Sequence, residues 1–371
     1  MTRLNLSMGL KVLLVSLGGL AGHVMGQSYV AGGPPNDAIA ATYFPYHWTL
    51  TTTKTYSTAS SACVGDIYVP DYTGKPVPAN STSRPAVVVV HGGGGTSGSR
   101  ASTREQQISE FCASHGYVAF NIDYPLGAVY PKNIQSWRTA VRYLRANAAT
   151  YGIDVNHIGI TGGSFGGYCS GFMSGITNGQ HTLEADSNAQ YNNASLDLDS
   201  ANELSTYSGN IQCAIDLYGP MNQVTSGNAA GQYSSPTTAT LYNSSPVNYV
   251  HVGSAPILIA HGTADTTVSI SNSYDMTNAC ARIGVPYQFC VIQGAQHTFY
   301  YYQTSGGSWP PGNSALDMRQ TAFDWFDKWL LTANNPPSIT AQPADATGCP
   351  GTPMTFSVAA TGTTPFYYQW Y

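Results

Sequence analysis

The sequence predicts an α/β protein, a mostly parallel sheet with helices on both faces. Three observations carry that reading. Short apolar runs bounded by glycine, proline and polar residues recur between residues 66 and 292, each of strand length. Helical patterns alternate with most of them, as in chains whose parallel strands are joined by crossover helices. One run, Val87-Val88-Val89-Val90 between Pro85 and a glycine cluster, reads as a buried strand.

The strand candidates in order are Asp66–Pro70, Ala86–His91, Tyr117–Ile122, His157–Thr161, Gln212–Leu217, Pro256–Ala260 and Tyr287–Ile292. Trp137, Val141 and Leu144 fall at i, i+4 and i+7 and give one apolar helical face. Met318, Ala322, Phe326 and Trp329 do the same in the last helix. Asn178 to Asn210 interrupts the alternation with a polar stretch that includes Asp186, Asn188, Asp197, Asp199 and Glu203. It reads as a solvated insertion. The sharper alternative is a calcium loop or a cap over the pocket, although the spacing does not match an EF-hand.

The ends read differently. Arg3 and Lys11 precede or open an apolar core that begins at Val12-Leu13-Leu14-Val15-Ser16-Leu17 and runs weakly to about Val24. With Val24 and Gly26 at −3 and −1, residues 1–26 are expected to be a secretory signal cleaved before Gln27, which implies export. The core is too short for a transmembrane span; an uncleaved anchor or a buried helix is the alternative. The catalytic domain is expected over 27–332, followed by the linker 333–337, Ala333-Asn334-Asn335-Pro336-Pro337. Beyond it, Met354, Phe356, Val358 and Ala360 alternate, then Phe366, Tyr368 and Trp370. Residues 338–371 resemble the opening of a bacterial immunoglobulin-like domain, a sandwich that needs roughly 100 residues. The sequence is therefore expected to be truncated, with Cys349 separated from its partner and the tail poorly ordered and dispensable for activity.

Composition narrows the function. Of 371 residues only 9% are charged and the net charge is −5, against roughly 25% charged in average proteins. With no basic stretch, nucleic acid is not an expected partner. Seven cysteines in an exported chain suggest disulfides, and the short separation of Cys280 and Cys290 makes them the expected pair. No C-x-x-C pair occurs, so no zinc site is indicated.

Four segments carry chemistry. Gly162-Gly163-Ser164-Phe165-Gly166 follows the apolar run 157–161 and opens a helix. A serine on a sharp strand-to-helix turn is presented with its hydroxyl free, and only small residues fit two before and two after it. His91-Gly92-Gly93-Gly94-Gly95 follows the valine strand. Backbone N–H groups there can face a ligand unobstructed, and acyl transfer needs such donors for the carbonyl oxygen that becomes negative in the transition state. Gly93, Gly94 and Phe165 are the expected oxyanion donors. A phosphate-binding reading fails, because no G-K-[ST] follows and no G-x-G-x-x-G opens a helix. His261-Gly262-Thr263-Ala264-Asp265 displays a carboxylate after one strand, and Gly294-Ala295-Gln296-His297-Thr298-Phe299 displays a histidine after the next. The order Ser164, Asp265, His297 is that of the serine-elbow hydrolases. His91 and His261 are competing histidines and Asp216 and Asp123 competing acids; His115, His157 and His251 read as structural.

From about Cys63 to Leu331 these motifs, with Ser245-Pro246-Val247-Asn248-Tyr249, resemble the α/β-hydrolase fold in its secreted esterase and lipase branch with an HGG-type oxyanion loop, BD-FAE-like and acetylxylan-esterase-like. Two departures concern support beside the site. Pro125 stands where many relatives carry arginine, and Ser136 where many carry aspartate. The resemblance implies a serine carboxylic-ester hydrolase without cofactor or metal, acting through an acyl-enzyme on an ester substrate, with Ser164 as nucleophile, His297 as base and Asp265 as orienting acid. Its expected substrates are acetyl or feruloyl esters of plant polysaccharides. A general short-chain carboxylesterase and a polyester depolymerase are the alternatives. Prolyl-oligopeptidase-type peptidases need a large N-terminal domain, and only about sixty residues precede the match. A catalytically silent binding protein is the non-enzyme alternative. Tyr300, Tyr301, Tyr302 and Trp309 either wall the pocket with aromatic rings or pack against the last helix.

Overall fold

A computed structural model of the chain describes residues 15–16, 27–29, 43–128, 130, 132–176, 203–225, 235–303, 316–331, 338–341, 359–361 and 366–367. The chain separates into two units. The smaller comprises Met1–Val24 and Thr332–Tyr371. It contains β1 (Val15–Ser16), paired antiparallel with the strand Phe366–Tyr367, and the antiparallel pair Ser338–Ala341 and Ala359–Thr361. Cys349, Trp370, the linker 333–337, the cleavage site at 24–26 and most of the insertion 178–210 lie outside the described residues.

The larger unit, Met25–Leu331, runs β2 (Gln27–Tyr29), β3 (His47–Thr55), β4 (Val64–Asp71), β5 (Arg84–Val90), α1 (Thr103–His115), β6 (Val118–Ile122), α2 (Lys132–Ala146), α3 (Ala148–Tyr151), β7 (Ile153–Gly163) and α4 (Phe165–Gly175). It continues with β8 (Cys213–Leu217), α5 (Thr238–Asn243), β9 (Ile257–Gly262), α6 (Ser271–Ile283), β10 (Tyr287–Ile292), β11 (Tyr302–Gln303), β12 (Leu316–Asp317) and α7 (Arg319–Leu330). Nine strands form one sheet in the order β2-β10-β9-β8-β7-β5-β6-β4-β3. Only β4 runs against the rest, since it pairs antiparallel with both β3 and β6. This is the mostly parallel α/β architecture that the sequence predicts, and each of its seven strand candidates lies on an observed strand.

Burial explains why the valine run is continuous rather than alternating. Val88 and Val90 face the side of the sheet covered by α2, α4 and α6, and Val87 and Val89 the side covered by α1 and α7. A strand covered on both faces needs apolar residues at every position, and each buried valine contributes roughly 1.5–3 kcal/mol. The strand β3 escapes a reading based on apolar runs because its sequence HWTLTTTKT is mostly exposed. Its threonines suit a pleated edge but carry no burial signal.

One expectation is corrected. The six described cysteines, Cys63, Cys112, Cys169, Cys213, Cys280 and Cys290, are all free and buried. Cys280 on α6 packs into the core on one side of the sheet, whereas Cys290 points to the other. Side chains alternate across a strand, so a short separation in sequence does not bring these two sulfurs together.

The order of connections sets where a site can form. From β5 the chain crosses to β6 on one side, then returns past β5 to β7 and continues outward through β8, β9 and β10. The carboxyl ends of β5 and β7 therefore flank the point where the winding reverses, the place where open α/β sheets leave a crevice.

Candidate active site

Ser164 sits in that crevice. It adopts φ 56° and ψ −116° between the end of β7 and the first residue of α4, a left-handed φ that non-glycine residues rarely take. Two hydrogen bonds hold it there. Its N–H donates to the Leu217 carbonyl at 2.8 Å, and its carbonyl accepts from the Tyr168 N–H at 2.9 Å. All eleven residues of α4 are buried, so the turn is anchored from behind as well.

The structure brings the three residues of the predicted triad together. Ser164 Oγ lies 2.9 Å from His297 Nε2, and His297 Nδ1 lies 2.7 Å from Asp265 Oδ2. A carboxylate at Nδ1 places the imidazole proton there and leaves Nε2 free to accept from the serine hydroxyl. Asp265 Oδ1 accepts from the N–H groups of Thr267 and Val268, both at 2.9 Å. Burial by itself raises a carboxyl pKa. Here hydrogen bonds from His261, His297 and Val268 outweigh it and hold Asp265 well below the usual carboxylate range, so it is charged.

The competing residues are placed elsewhere. His261 is buried, with Nδ1 2.7 Å from Ser273 Oγ and Nε2 2.9 Å from the Val268 carbonyl and 3.3 Å from Asp265 Oδ2. It buttresses Asp265, a contact the sequence reading missed. His91 stacks on Tyr124 with centroids 4.3 Å apart, and its Nδ1 meets the Gly92 carbonyl at 2.7 Å. It shapes the glycine loop. Asp123 pairs with Arg100. His115 and His157 pair with Asp327 and Asp154, and His251 bonds the Tyr249 carbonyl.

Asp216 is fully buried within β8. Its Oδ1 accepts from the Gly219 N–H at 2.8 Å, and its Oδ2 has no partner among the described residues. Burial pushes its carboxyl from 3.8 up to about 8. A folded-state pKa above the unfolded one means that the native protein holds a proton the unfolded chain has lost. Stability from this group is therefore present below about pH 4 and lost as pH rises towards about 8. We expect Asp216→Asn, a neutral isostere, to match wild-type thermal stability at or below about pH 4 and to exceed it increasingly as pH rises towards about 8. Melting curves that shift in parallel across that range would contradict this.

The glycine loop lies against Ser164. A Cβ on Gly92 would come 3.2 Å from Ser164 Cβ, and one on Gly93, whose φ is 105°, would come 2.1 Å from the Ser97 carbonyl oxygen. Gly94 has φ 62°. Phe165 opens α4, so its N–H belongs to the orphan donors at the positive end of a helix. Of the two readings of the aromatic cluster, packing towards the last helix holds for Tyr301 and Tyr302. Tyr301 is buried, with its hydroxyl 2.7 Å from Thr161 Oγ1, and the Tyr302 ring stacks 4.0 Å from the Arg319 guanidinium at the start of α7. Both pack inward; Trp309 lies outside the described residues.

Sequence reading also missed Arg104 and Tyr218, which meet beneath the site at 2.7 Å across 114 positions of chain. The available signal was the rarity of charge, which makes a buried Arg104-Glu105 pair conspicuous.

Comparison with known proteins gives three kinds of likeness. The BD-FAE family model matches residues 66–280. Esterase LipC of Mycobacterium tuberculosis is 35% identical over 95 residues, which cover 25% of this chain and 23% of that protein. The chain thus spans about a quarter of that curated relative's length. A truncated carbohydrate esterase from gut microbiota superposes with a TM-score of 0.57 at 22% identity, covering 81% of this chain and 100% of the other. The thermophilic esterase Est2 of Thermogutta terrifontis superposes at 0.55 and 22% identity, covering 75% and 91%. The two structural likenesses establish the α/β-hydrolase fold.

Proposed function

The chain belongs to the BD-FAE family, and on that premise we propose that it is a serine carboxylic-ester hydrolase working through an acyl-enzyme. The observation that carries this reading is the hydrogen-bonded line from Ser164 through His297 to Asp265, with steps of 2.9 and 2.7 Å. Ser164 Oγ attacks the ester carbonyl while His297 Nε2 takes its proton. The carbonyl oxygen, now negative, is met by the N–H groups of Gly93, Gly94 and Phe165, where loss of one donor costs about 3–4 kcal/mol. As the carbon–oxygen bond breaks, His297 returns the proton to the departing alcohol. Water then attacks the acyl group by the same route in reverse. Asp265, held anionic, fixes the histidine tautomer and stabilises the imidazolium.

The substrate class is an acetyl- or feruloyl-substituted plant polysaccharide, met outside the cell after removal of the signal 1–26. The sparse surface charge supports this reading, as does the likeness to a carbohydrate esterase. The second reading is a general short-chain carboxylesterase, with which the stretch of 35% identity to esterase LipC is equally compatible.

Hydrolysis of p-nitrophenyl esters of increasing acyl length, with Ser164→Ala as control, tests both. A rate confined to acetate and propionate and abolished in the mutant is the expected result. A profile extending to long chains would count against both short-acyl readings and favour a polyester depolymerase. Absence of any serine-dependent rate in the folded protein would sink the enzyme reading.

A further inference from the structure

The loops that carry the proposed machinery meet over a buried side-chain pair, Arg104 and Tyr218, that the mechanism above does not use. Tyr218 directly follows β8 and is fully buried, with a left-handed φ of 48°. Its N–H donates to the Ala260 carbonyl at 2.8 Å. Its phenol donates to the Phe299 carbonyl at 2.8 Å and accepts from Arg104 Nη1 at 2.7 Å. The ring meets the His297 imidazole edge-on, with centroids 4.8 Å apart and planes at 65°, and meets Phe299 at 4.6 Å. Arg104 is itself held by Glu105 Oε1, 2.7 Å from Nε.

The same pair touches the other two loops. A Cβ on Gly163, next to the nucleophile, would lie 2.6 Å from the Tyr218 phenol oxygen and 3.0 Å from Arg104 Cζ. The space that a Cβ on Gly92 would fill is bounded by Arg104 Nη2 and Ser164 Cβ, each 3.2 Å away. Backbone strain gathers here too. Among the described residues four non-glycines have positive φ, and three of them are Ser164, Tyr218 and Thr298. Such strain persists only where surrounding contacts over-determine it, and it concentrates at working sites.

We propose that Tyr218, braced by Arg104, is a positioning residue that fixes the height and tilt of the His297 imidazole above Ser164. Asp265 grips the ring at one nitrogen, which leaves it free to swing about that bond. The Tyr218 ring blocks the swing, and its hydroxyl ties down the chain two residues further on, at Phe299. Misplacement of a reacting group by about 1 Å can lower a rate on the order of 10²-fold. The inference rests on the Ser164–His297 reading above.

A double-mutant cycle tests it. Tyr218→Phe keeps the ring but removes both phenol hydrogen bonds. On p-nitrophenyl acetate we expect kcat to fall about tenfold with KM within about twofold, and no further fall when the change is made in a His297→Ala background, because Tyr218 acts through that histidine. If Tyr218→Phe does not fold, Arg104→Lys, which keeps the charge but not the fork, is read in the same cycle. A purely structural role would lower the melting temperature and leave the kcat of the folded fraction within twofold of wild type. That result, or an equal loss in both backgrounds, would overturn the proposal. Ser164→Ala in parallel separates this from failure of the enzyme reading, since activity surviving that change would remove the mechanism itself.

Discussion

Asp265→Asn is expected to lower kcat on the order of 10⁴-fold while leaving KM and stability nearly unchanged. The size of the effect follows from which hydrogen bonds can adapt. An asparagine at 265 has one oxygen to offer where the carboxylate had two. One side of the group faces the N–H groups of Thr267 and Val268 at 2.9 Å. The other faces His297 Nδ1 at 2.7 Å and His261 Nε2 at 3.3 Å. Backbone N–H groups cannot tautomerise, and leaving two of them unpaired would cost roughly 1–3 kcal/mol each. His261 keeps the Val268 carbonyl at 2.9 Å, and a histidine can move its proton. The amide oxygen therefore stays with the backbone and its NH₂ turns towards His297. Nδ1 then accepts, Nε2 carries the proton, and the serine hydroxyl faces a donor where it needs a base. Steady-state kinetics on p-nitrophenyl acetate, with a thermal melt, measure both halves. A mutant within tenfold of wild type would move the acid role away from Asp265.

This balance of donors was only half legible in the sequence. The turn displaying Asp265 and the loop displaying His297 each follow an apolar run, so their placement at strand ends could be read from pattern. In the sequence His261 competes for the role of base, because a histidine before glycine at a strand end looks available. What places it against the acid is the turn 262–268, which folds Val268 and Asp265 back over it. The fold was legible for a related reason. Strands buried on both faces announce themselves as apolar runs, and β3, half in solvent, does not. The rarity of charge singles out Arg104-Glu105, but the contact of Arg104 with Tyr218 was not legible, since it depends on α1 and the end of β8 meeting through the order of strands in the sheet. The expected Cys280–Cys290 pair failed for the opposite reason. Proximity in sequence is legible, but the two sulfurs lie on opposite sides of the sheet.

The spacing of glycines about Ser164 has a physical cause that predicts a second large effect. The carbonyl oxygen of Val90, the last residue of β5, sits in a notch between Gly162 and Gly166. A Cβ on Gly162 would lie 2.3 Å from that oxygen, and one on Gly166 would lie 2.0 Å from it. The obstacle in both cases is that one oxygen, which is not a flexible side-chain end but strand backbone in the middle of the sheet, where β5 is paired on both sides. Gly166→Ala must therefore push α4 away from β5 or tilt the turn that holds Ser164. Overpacking in a close-packed interior costs about 1–3 kcal/mol, and a rigid backbone obstacle puts this site at the upper end. The activity loss is expected to be larger than the stability loss suggests. The residues after Val90 are the loop that meets the nucleophile, so the displacement separates Gly93 and Gly94 from Ser164 directly. At the order of 10²-fold per ångström of misplacement, kcat on p-nitrophenyl acetate should fall at least that far in the fraction that folds. Gly74→Ala is the control. Its φ of 74° is strained for alanine, but nothing lies within 4 Å of its Cβ, so it should lose about 1–2 kcal/mol and no kcat. Equal kcat in the two variants would mean that the close approach of β5 to the elbow does not set the distance between oxyanion donors and nucleophile.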